Sequence, residues 1–244
     1  SSWCSVKRID KKPVLTIFRI CQYRQAGRLP TMAVIRYRRY TEMTGIELGK
    51  LPPPCDPALL SLLADVDPAT IGHFDERGFL HRRIQPIAGA MRSVGVAVTV
   101  RCEGTDGSIL HHALGQLRPG EFLVVDRAGD DAIACIGGAS ALAARLRGAA
   151  GGVVDGCVTG IAEVRQIGLP VWALGLSART TRSHGATGSF CLPVQCGGVA
   201  VAPGDIVLAD ENGILVMARD EARALADKAI VLQNDEKHTL RRPR

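Results

Sequence analysis

Two short glycine-rich segments hold the residues of this chain that could do chemistry. The first is Gly137-Gly138-Ala139-Ser140-Ala141, in which a glycine pair opens a predicted helix. The first N–H groups of a helix are unpaired and the helix dipole adds positive potential there, so such a segment suits a carboxylate or a phosphate. The same glycines could instead form a tight turn from strand to helix. The segment fits neither the P-loop nor the dinucleotide fingerprint, and we interpret it as a candidate site for a small anion.

The second segment is Asp155-Gly156-Cys157-Val158-Thr159-Gly160, which begins at the end of a predicted strand. An α/β domain places polar groups at its strand ends in this way. Glu163 follows on the first turn of the next predicted helix, where an acidic side chain is a favourable partner of the helix dipole.

The elements that must position these segments follow from apolar runs and from turn residues. Asp56-Pro57 and Asp67-Pro68 each predict a helix start, with aspartate as the cap and proline in the first turn. Strands are predicted at 95–102, 122–126, 152–155, 171–174, 206–210 and 214–217. Further helices are predicted at 108–116, 139–147, 161–167 and 219–237. The strands at 206–210 and 214–217 are separated by a turn and predict a hairpin.

The glycine segment and the strand-end pattern between Pro52 and Met217 resemble the RraA-like family, which contains the ribonuclease E regulator and the class II 4-hydroxy-4-methyl-2-oxoglutarate aldolases. The aldolases carry a glycine, twenty residues, an Arg-Asp pair and an acid three positions on. Here Gly138 is followed by twenty residues, then by Thr159-Gly160, with Glu163 in the acid position. The frame is intact, and the Arg-Asp pair is replaced.

The resemblance implies an α/β fold of the β/β/α swivelling type, with flanking N- and C-terminal helices, in a homotrimer or hexamer. It also implies a metal-assisted lyase that acts on a pyruvate-type 2-oxo acid, by retro-aldol cleavage or oxaloacetate-type decarboxylation. In the aldolases the glycine loop holds the pyruvate carboxylate, the Arg polarises the keto group and the Asp binds Mg²⁺ or Mn²⁺. Thr159 brings no charge and Gly160 cannot ligate a metal, so we expect weak metal binding and reduced or lost activity.

Other side chains could replace the missing groups. Arg127 lies just beyond a predicted strand and could supply the positive charge, although a surface salt bridge with Asp130 or Asp131 is the alternative. The metal could be held by Glu163, Asp155, Asp130 or Asp131, or by a C-terminal acid of a neighbouring subunit, which Glu236 or Asp235 matches. The candidate catalytic residues are therefore Thr159, Arg127 and Asp155, and the candidate metal positions are Glu163, Gly160 and Glu236. The alternative function is a non-catalytic regulator with a ribonuclease-type partner.

The histidines and the Arg179–Arg182 run point to no particular chemistry. His111 and His112 are adjacent, so on a helix their side chains diverge and cannot share a ligand. His184 lies in a glycine-containing loop that could border a cleft. The run at 179–182 is either an anion-binding patch or a solvated loop.

The composition of the chain indicates which class of protein it belongs to. The chain has 244 residues with 46% hydrophobic and 4% aromatic residues, which fits one globular domain with an aliphatic core. Its net charge of +6 is concentrated in residues 1–50, which hold 11 Lys/Arg and 3 Asp/Glu. We expect residues 1–42 to be a basic extension that is disordered or a start-site artefact, and residues 43–244 to form the single domain. A nucleic-acid partner is not expected.

The cysteines and the apolar runs bear on the compartment. Eight cysteines occur, none in a Cys-x-x-Cys pair and none at zinc-site spacing. Cys102, Cys135 and Cys157 lie in or beside apolar strands, as reduced core thiols do. No apolar run has the length of a membrane span. We therefore expect a cytoplasmic protein with no membrane partner.

Overall fold

The computed structural model describes residues 15–21, 34–40, 45–89, 92–185 and 187–240, with side chains from residue 45 to residue 236. Within these residues the chain forms fourteen strands and six helices. The strands are β1 Leu15–Cys21, β2 Val34–Tyr40, β3 Ile46–Leu48, β4 Gln85–Ala88, β5 Ser93–Arg101, β6 Glu121–Asp126, β7 Ala134–Ile136, β8 Gly151–Val158, β9 Val171–Leu176, β10 Gly188–Phe190, β11 Val194–Cys196, β12 Val199–Val201, β13 Ile206–Ala209 and β14 Ile214–Met217. The helices are α1 Pro57–Leu63, α2 Pro68–Gly72, α3 Ser108–Gln116, α4 Gly138–Leu146, α5 Ile161–Ile167 and α6 Ala222–Leu240.

One large mixed sheet organises the fold, in the order β14-β13-β5-β6-β8-β9-β4. Its centre is parallel, because β5, β6, β8 and β9 run in one direction and are joined by crossovers through α3, α4 and α5. Its edges are antiparallel: β13 pairs with β5 and β14 on one side, and β4 pairs with β9 on the other. This is the mixed α/β architecture that was predicted.

Three apolar clusters fill the space on and beside the sheet. On one face, α3, α4 and α5 pack through residues such as Leu110, Ala141 and Val164, and we call this the helix face. The other face is covered by the β11–β12 hairpin and includes Trp172, and we call this the hairpin face. The third cluster packs α1, α2 and α6 against β13 and β14. The glycine loop and the start of α5 therefore belong to the helix face.

Local sequence accounts for several of these elements. Asp56 caps α1 by accepting the N–H of Ala58 at 2.9 Å, and Pro57 fills the first turn, as predicted. Helices α3 and α5 have the predicted bounds, and β13 pairs with β14 as the predicted hairpin. Strand β8 continues three residues beyond its predicted end at Asp155. That extension changes the position of Asp155 from a strand end to a strand interior.

Eight short or N-terminal strands were not predicted, because none has an extended alternating pattern: β1, β2, β3, β4, β7, β10, β11 and β12. Strands β1 and β2, which pair with each other in antiparallel register, lie within the segment that was expected to be an extension. Among the described residues, no helix is long and apolar enough to cross a membrane. The six cysteines with described side chains are all unpaired.

Candidate functional site

The two glycine-marked segments meet at the carboxyl ends of β7 and β8. These strands are parallel neighbours, with Ala134 beside Cys157 and Ile136 beside Val158. The N–H of Thr159 extends the pairing by donating to the carbonyl oxygen of Ile136 at 2.9 Å. Because α4 begins directly after β7 and α5 directly after β8, the positive ends of two helices lie side by side here.

Gly137 and Thr159 form one contact between the two segments. Gly137 is the residue before α4, with extended backbone (φ −145°), and has no side chain to cap the helix. A β-carbon placed on Gly137 would lie 3.0 Å from Cγ2 of Thr159. The Thr159 methyl group therefore covers the glycine, and a side chain at position 137 would require Thr159 to shift by a few tenths of an ångström.

Glu163 and Gly138 form the second contact. A β-carbon on Gly138 would overlap Oε2 of Glu163 and lie 2.8 Å from its Cβ. The side chain of Glu163 thus crosses from the first turn of α5 to the first residue of α4. A negative charge is stabilised at such a position by the dipole of either helix. This contact also means that a bulky residue at position 138 would displace Glu163.

Gly160 has the left-handed conformation, with φ 60° and ψ 38°, and precedes the first residue of α5. A β-carbon there would meet only the backbone nitrogen of Gly138 at 3.4 Å and Oε2 of Glu163 at 3.7 Å. These are ordinary contact distances, so the space above Gly160 is open toward Gly138 and Glu163. A side chain at position 160 would therefore point into the site, between the glycine loop and the acid.

Arg127 does not lie at the surface, which corrects the alternative of a surface salt bridge. Its side chain is fully buried and donates to the carbonyl oxygens of Cys102 at 2.5 Å and Gly104 at 2.7 Å. It pairs with Asp130 at 3.3 Å, as that alternative had it. The observed partners of the guanidinium therefore belong to the loops after β5 and β6.

Asp155 and the glycine loop lie on different faces of the sheet. Asp155 shares its face with Val153, which belongs to the hairpin face, and its Oδ2 accepts the N–H of Gly197 at 2.8 Å. Asp126, its register partner on β6, is buried and accepts N–H groups from Ala128 at 2.6 Å and Gln195 at 3.4 Å. The two aspartates therefore anchor the β11–β12 hairpin.

The remaining candidate acids do not assemble with Glu163. Glu236, on α6, lies 3.9 Å from Nε2 of His73 and belongs to the part of the fold that packs on β13 and β14. Asp130 accepts the N–H groups of Ala132 and Ile133 in its own loop. Within the residues that the structure describes, no group of three or more His, Cys, Asp or Glu side chains is arranged to hold a metal ion. The donor set at Thr159-Gly160-Glu163 offers one carboxylate, so it does not fit a resident Mg²⁺ or Mn²⁺.

The histidines occupy separate environments, as their spacing predicted. His112 is buried edge-to-face against Phe190, with ring centroids 5.1 Å apart, and burial lowers its pKa. Burial also lowers the pKa of His111, while the charge of Asp106 opposes that shift. The backbone of His184 donates to Oδ1 of Asp106 at 3.0 Å. Asp106 thereby fixes the loop before β10. It was not among the candidate residues identified from the sequence, although an Asp-x-Ser pattern at the start of a helix could have identified it.

The chain matches a known sequence family over more than half of its length. Residues 61–216 match the model of the RraA-like family, described as Aldolase/RraA. A protein of Halalkalibacterium halodurans, provisionally named 4-hydroxy-4-methyl-2-oxoglutarate aldolase, is 29% identical over 63% of this chain and 72% of its own length. A protein of Burkholderia multivorans with the same provisional name is 37% identical over 57% of this chain and 84% of its own length.

Solved structures share the architecture. The RraAS2 protein of Streptomyces coelicolor, an unusual member of the RNase ES inhibitor RraA family, superposes with a TM-score of 0.69 and 26% identity, over 80% of this chain and all of that one. The RNA-processing inhibitor RraA from Thermus thermophilis superposes with a TM-score of 0.56 and 30% identity, over 60% of this chain and 88% of that one. These matches confirm the predicted fold class.

Proposed function

Since the chain belongs to the RraA-like family, we propose that it is a lyase-type member that binds a pyruvate-type 2-oxo acid at the glycine loop, with metal-dependent turnover reduced or lost. The proposal has three parts: where the carboxylate binds, what the neighbouring side chains do to it, and why turnover is weak. The observation that carries it is the meeting of Gly137–Gly138 with Thr159–Gly160 at two helix starts, in the frame of relatives that bear an aldolase name.

The carboxylate of the ligand would bind at the N-terminal end of α4. Gly137 and Gly138 present backbone without side chains, and the first N–H groups of α4 have no side-chain cap. The Thr159 methyl group and the Glu163 carboxylate occupy the space beside Gly137 and Gly138, so a small carboxylate would approach the N–H groups of α4 from the side of the exposed Ala139. Ser140 is buried in the first turn, whereas Ala139 is exposed, so the loop is open on one side only.

Thr159 and Glu163 would contact the part of the ligand beyond its carboxylate. The Thr159 hydroxyl can donate one hydrogen bond to a keto oxygen but cannot balance an enolate charge. Glu163 places a carboxylate against Gly138, so a ligand with a second negative charge near that point is repelled. We therefore expect a monocarboxylate such as pyruvate to be tolerated at the loop better than a dianion of the same size.

Weak turnover follows from positions 159 and 160. In aldolases of the family a divalent metal supplies the stabilisation of the pyruvate enolate. Gly160 has no ligand atom, and the described residues hold no substitute group of donors. No step of this chain's chemistry is therefore assigned to a metal, and its own residues provide only binding and one hydrogen bond.

A direct test separates binding from turnover. Pyruvate and oxalate binding are measured by calorimetry with Mg²⁺ and with a chelator, and pyruvate release is measured from 4-hydroxy-4-methyl-2-oxoglutarate and from oxaloacetate. We expect pyruvate and oxalate to bind in the presence of the chelator as well as with Mg²⁺. Pyruvate release should be low both with Mg²⁺ and with the chelator. Absence of any pyruvate or oxalate binding overturns the site, and fast release that a chelator abolishes overturns the account of positions 159 and 160.

A second candidate function is a non-catalytic regulator. Two solved relatives are described as inhibitors of RNA processing or of an RNase, and the missing metal ligand agrees with such a role. In the homotrimer that the family resemblance implies, a neighbouring copy could still bring an acid such as Glu236 to the site. Metal content of the purified oligomer shows whether a neighbouring copy completes the site, because a completed site retains a divalent ion through gel filtration.

A further inference from the structure

Strands β1 and β2 form a two-stranded antiparallel ribbon whose composition differs from that of the rest of the chain. Residues 11–41, which contain both strands, hold eight Lys or Arg residues and no Asp or Glu. All three tyrosines of the chain, Tyr23, Tyr37 and Tyr40, fall in the same segment. Cations of one sign interleaved with aromatic residues are typical of a surface that binds a polyanion, and nothing in the proposed function uses this segment.

The register of the two strands sorts their residues onto two faces. Directly paired residues of an antiparallel ribbon share a face, and successive residues of a strand alternate between faces. Arg19 pairs with Arg36, and Arg38, two positions further along β2, pairs with Ile17. Three arginines therefore lie on one face. We call it the arginine face, and it comprises positions 15, 17, 19, 21, 34, 36, 38 and 40.

The arginine face contains no acidic residue of its own. Like charges at directly opposite positions destabilise a strand pair, and Arg19 stands opposite Arg36. No residue of β1 or β2 is acidic, and neither is any residue of α3, against which β1 lies. A bound polyanion would turn this repulsion into attraction, so the ribbon gains stability from such a partner.

The other face of the ribbon has a different character. Five of its six positions are apolar or neutral, and the residues are Thr16, Phe18, Ile20, Ile35, Tyr37 and Arg39. Burial against the domain would stabilise this face, whereas it would cost free energy at the arginine face, because unpaired cations resist desolvation. The arginine face is therefore the one suited to a partner from solution.

We propose that the arginine face binds a single strand of nucleic acid, RNA or DNA, through its phosphates. Arginine suits this partner because its planar guanidinium can donate two parallel hydrogen bonds to one phosphate. Arg36 and Arg38 are about 6.8 Å apart along β2, so an extended strand can be contacted at successive points. From the composition alone no nucleic-acid partner is expected, since the register that gathers the arginines is a property of the paired strands.

Tyr40 distinguishes a single strand from other polyanions. It belongs to the arginine face, at the end of β2, and a tyrosine ring can stack on a base of any identity. A phospholipid surface offers charges without flat bases, and a duplex keeps its bases stacked on one another. A single strand offers both phosphates and free bases. We therefore expect binding that tolerates any base sequence and that weakens as salt increases.

The test uses the full chain and measures the fluorescence anisotropy of labelled oligo(U) and oligo(dT) over a series of NaCl concentrations. Both oligonucleotides should bind at low salt. In Arg19→Ser/Arg36→Ser/Arg38→Ser, affinity should fall and the slope of log Kobs against log salt should decrease in magnitude by about 2, because each phosphate contact of a single strand contributes about 0.7. Tyr40→Leu should weaken binding and leave the salt slope unchanged, since stacking involves no counterion release.

Two neighbouring residues of β2 supply the matched control. Arg38→Ser and Arg39→Ser remove the same charge from adjacent positions that lie on opposite faces of the ribbon. The first should reduce the salt slope by about 0.7, and the second should leave it unchanged. A further control, Arg82→Ser/Arg83→Ser, removes two exposed charges from the domain and should also bind as the natural chain does.

Four outcomes would overturn the proposal. The first is that neither oligonucleotide binds at low salt. The second is an equal loss in Arg38→Ser and Arg39→Ser, which would show that charge acts without a defined face. The third is equal affinity for oligo(dT) and for its duplex with oligo(dA), which would remove the role of free bases. The fourth is that phosphatidylserine vesicles displace the oligonucleotides and lose binding in the same variants, which would assign the face to a membrane surface. The proposal does not depend on the proposed function, so either can fail while the other stands.

Discussion

The carboxylate of Glu163 lies against Gly138, so that the first turn of α5 touches the first residue of α4. Only glycine at position 138 permits this contact, because a β-carbon there would overlap the carboxylate. The acid of the family frame and the glycine that begins it are thus one structural unit. This chain departs from the aldolases at the neighbouring position 160, where glycine replaces the aspartate that binds the metal ion.

Restoring the Arg-Asp pair should raise metal-dependent lyase activity. In Thr159→Arg/Gly160→Asp, the new carboxylate would stand beside Glu163, because the space above Gly160 opens toward Oε2 of that residue. One such stabiliser of a developing charge contributes about 3–4 kcal/mol, or roughly two to three orders of magnitude in rate. Aspartate in the left-handed conformation of Gly160 should cost about 1 kcal/mol of stability. The measurement is pyruvate release with Mn²⁺ in the variant and the natural chain.

The control for that experiment is Gly160→Ala, which introduces the strain without the ligand. It should lose stability and gain no activity. If Thr159→Arg/Gly160→Asp folds and is no faster than the natural chain at saturating metal, the missing pair does not explain low activity. In that case a second essential group is absent.

Substitution of Gly137 should remove anion binding by filling the loop. Gly137→Ala places a methyl group 3.0 Å from Cγ2 of Thr159, so both stability and oxalate binding should fall. Adding Thr159→Ser removes that methyl contact and should recover most of the stability, a difference of about 1–3 kcal/mol. Binding should stay lost, because the new side chain still covers the backbone N–H groups. Calorimetry and urea unfolding measure the two effects, and oxalate binding that returns with stability would place the anion elsewhere.

Asp155→Ala should change stability and leave anion binding unaltered. The carboxylate accepts the N–H of Gly197 and faces away from the glycine loop, so its removal leaves a hydrogen bond of the β11–β12 hairpin unmade. We expect a loss of about 1–2 kcal/mol in the free energy of unfolding. Oxalate affinity should match that of the natural chain within error. A selective loss of affinity with unchanged stability would return Asp155 to the list of site residues.

Burial of His112 should make the protein less stable in mild acid. Burial lowers its folded pKa below the usual imidazole value near 6.5, so below about pH 6.5 the unfolded chain binds more protons than the folded chain. Stability is therefore full above that pH and falls as the pH decreases toward the folded pKa. One unit of pKa difference corresponds to about 1.4 kcal/mol. In His112→Phe, the decrease measured by urea unfolding between pH 7 and pH 5 should be smaller, and an unchanged pH profile would contradict the role of burial.

The sequence by itself determined the elements whose signals are local. Aspartate and proline at 56–57 set the start of α1, and the apolar pattern between Gly160 and Gly168 set α5. The frame from Gly138 to Glu163 gave the family, and β-strand pairing then brought the two segments together as the frame implied. These features depend on a few neighbouring residues, or on a spacing within the sequence.

Only the tertiary structure decided where the polar side chains point. Strand β8 runs on to Val158, so Asp155 became an interior residue of the hairpin face instead of a strand-end residue near the loop. The side chain of Arg127 is fully buried and donates to the backbone carbonyls of Cys102 and Gly104. The face that a strand residue occupies depends on the length and register of its neighbours, which no local pattern contains.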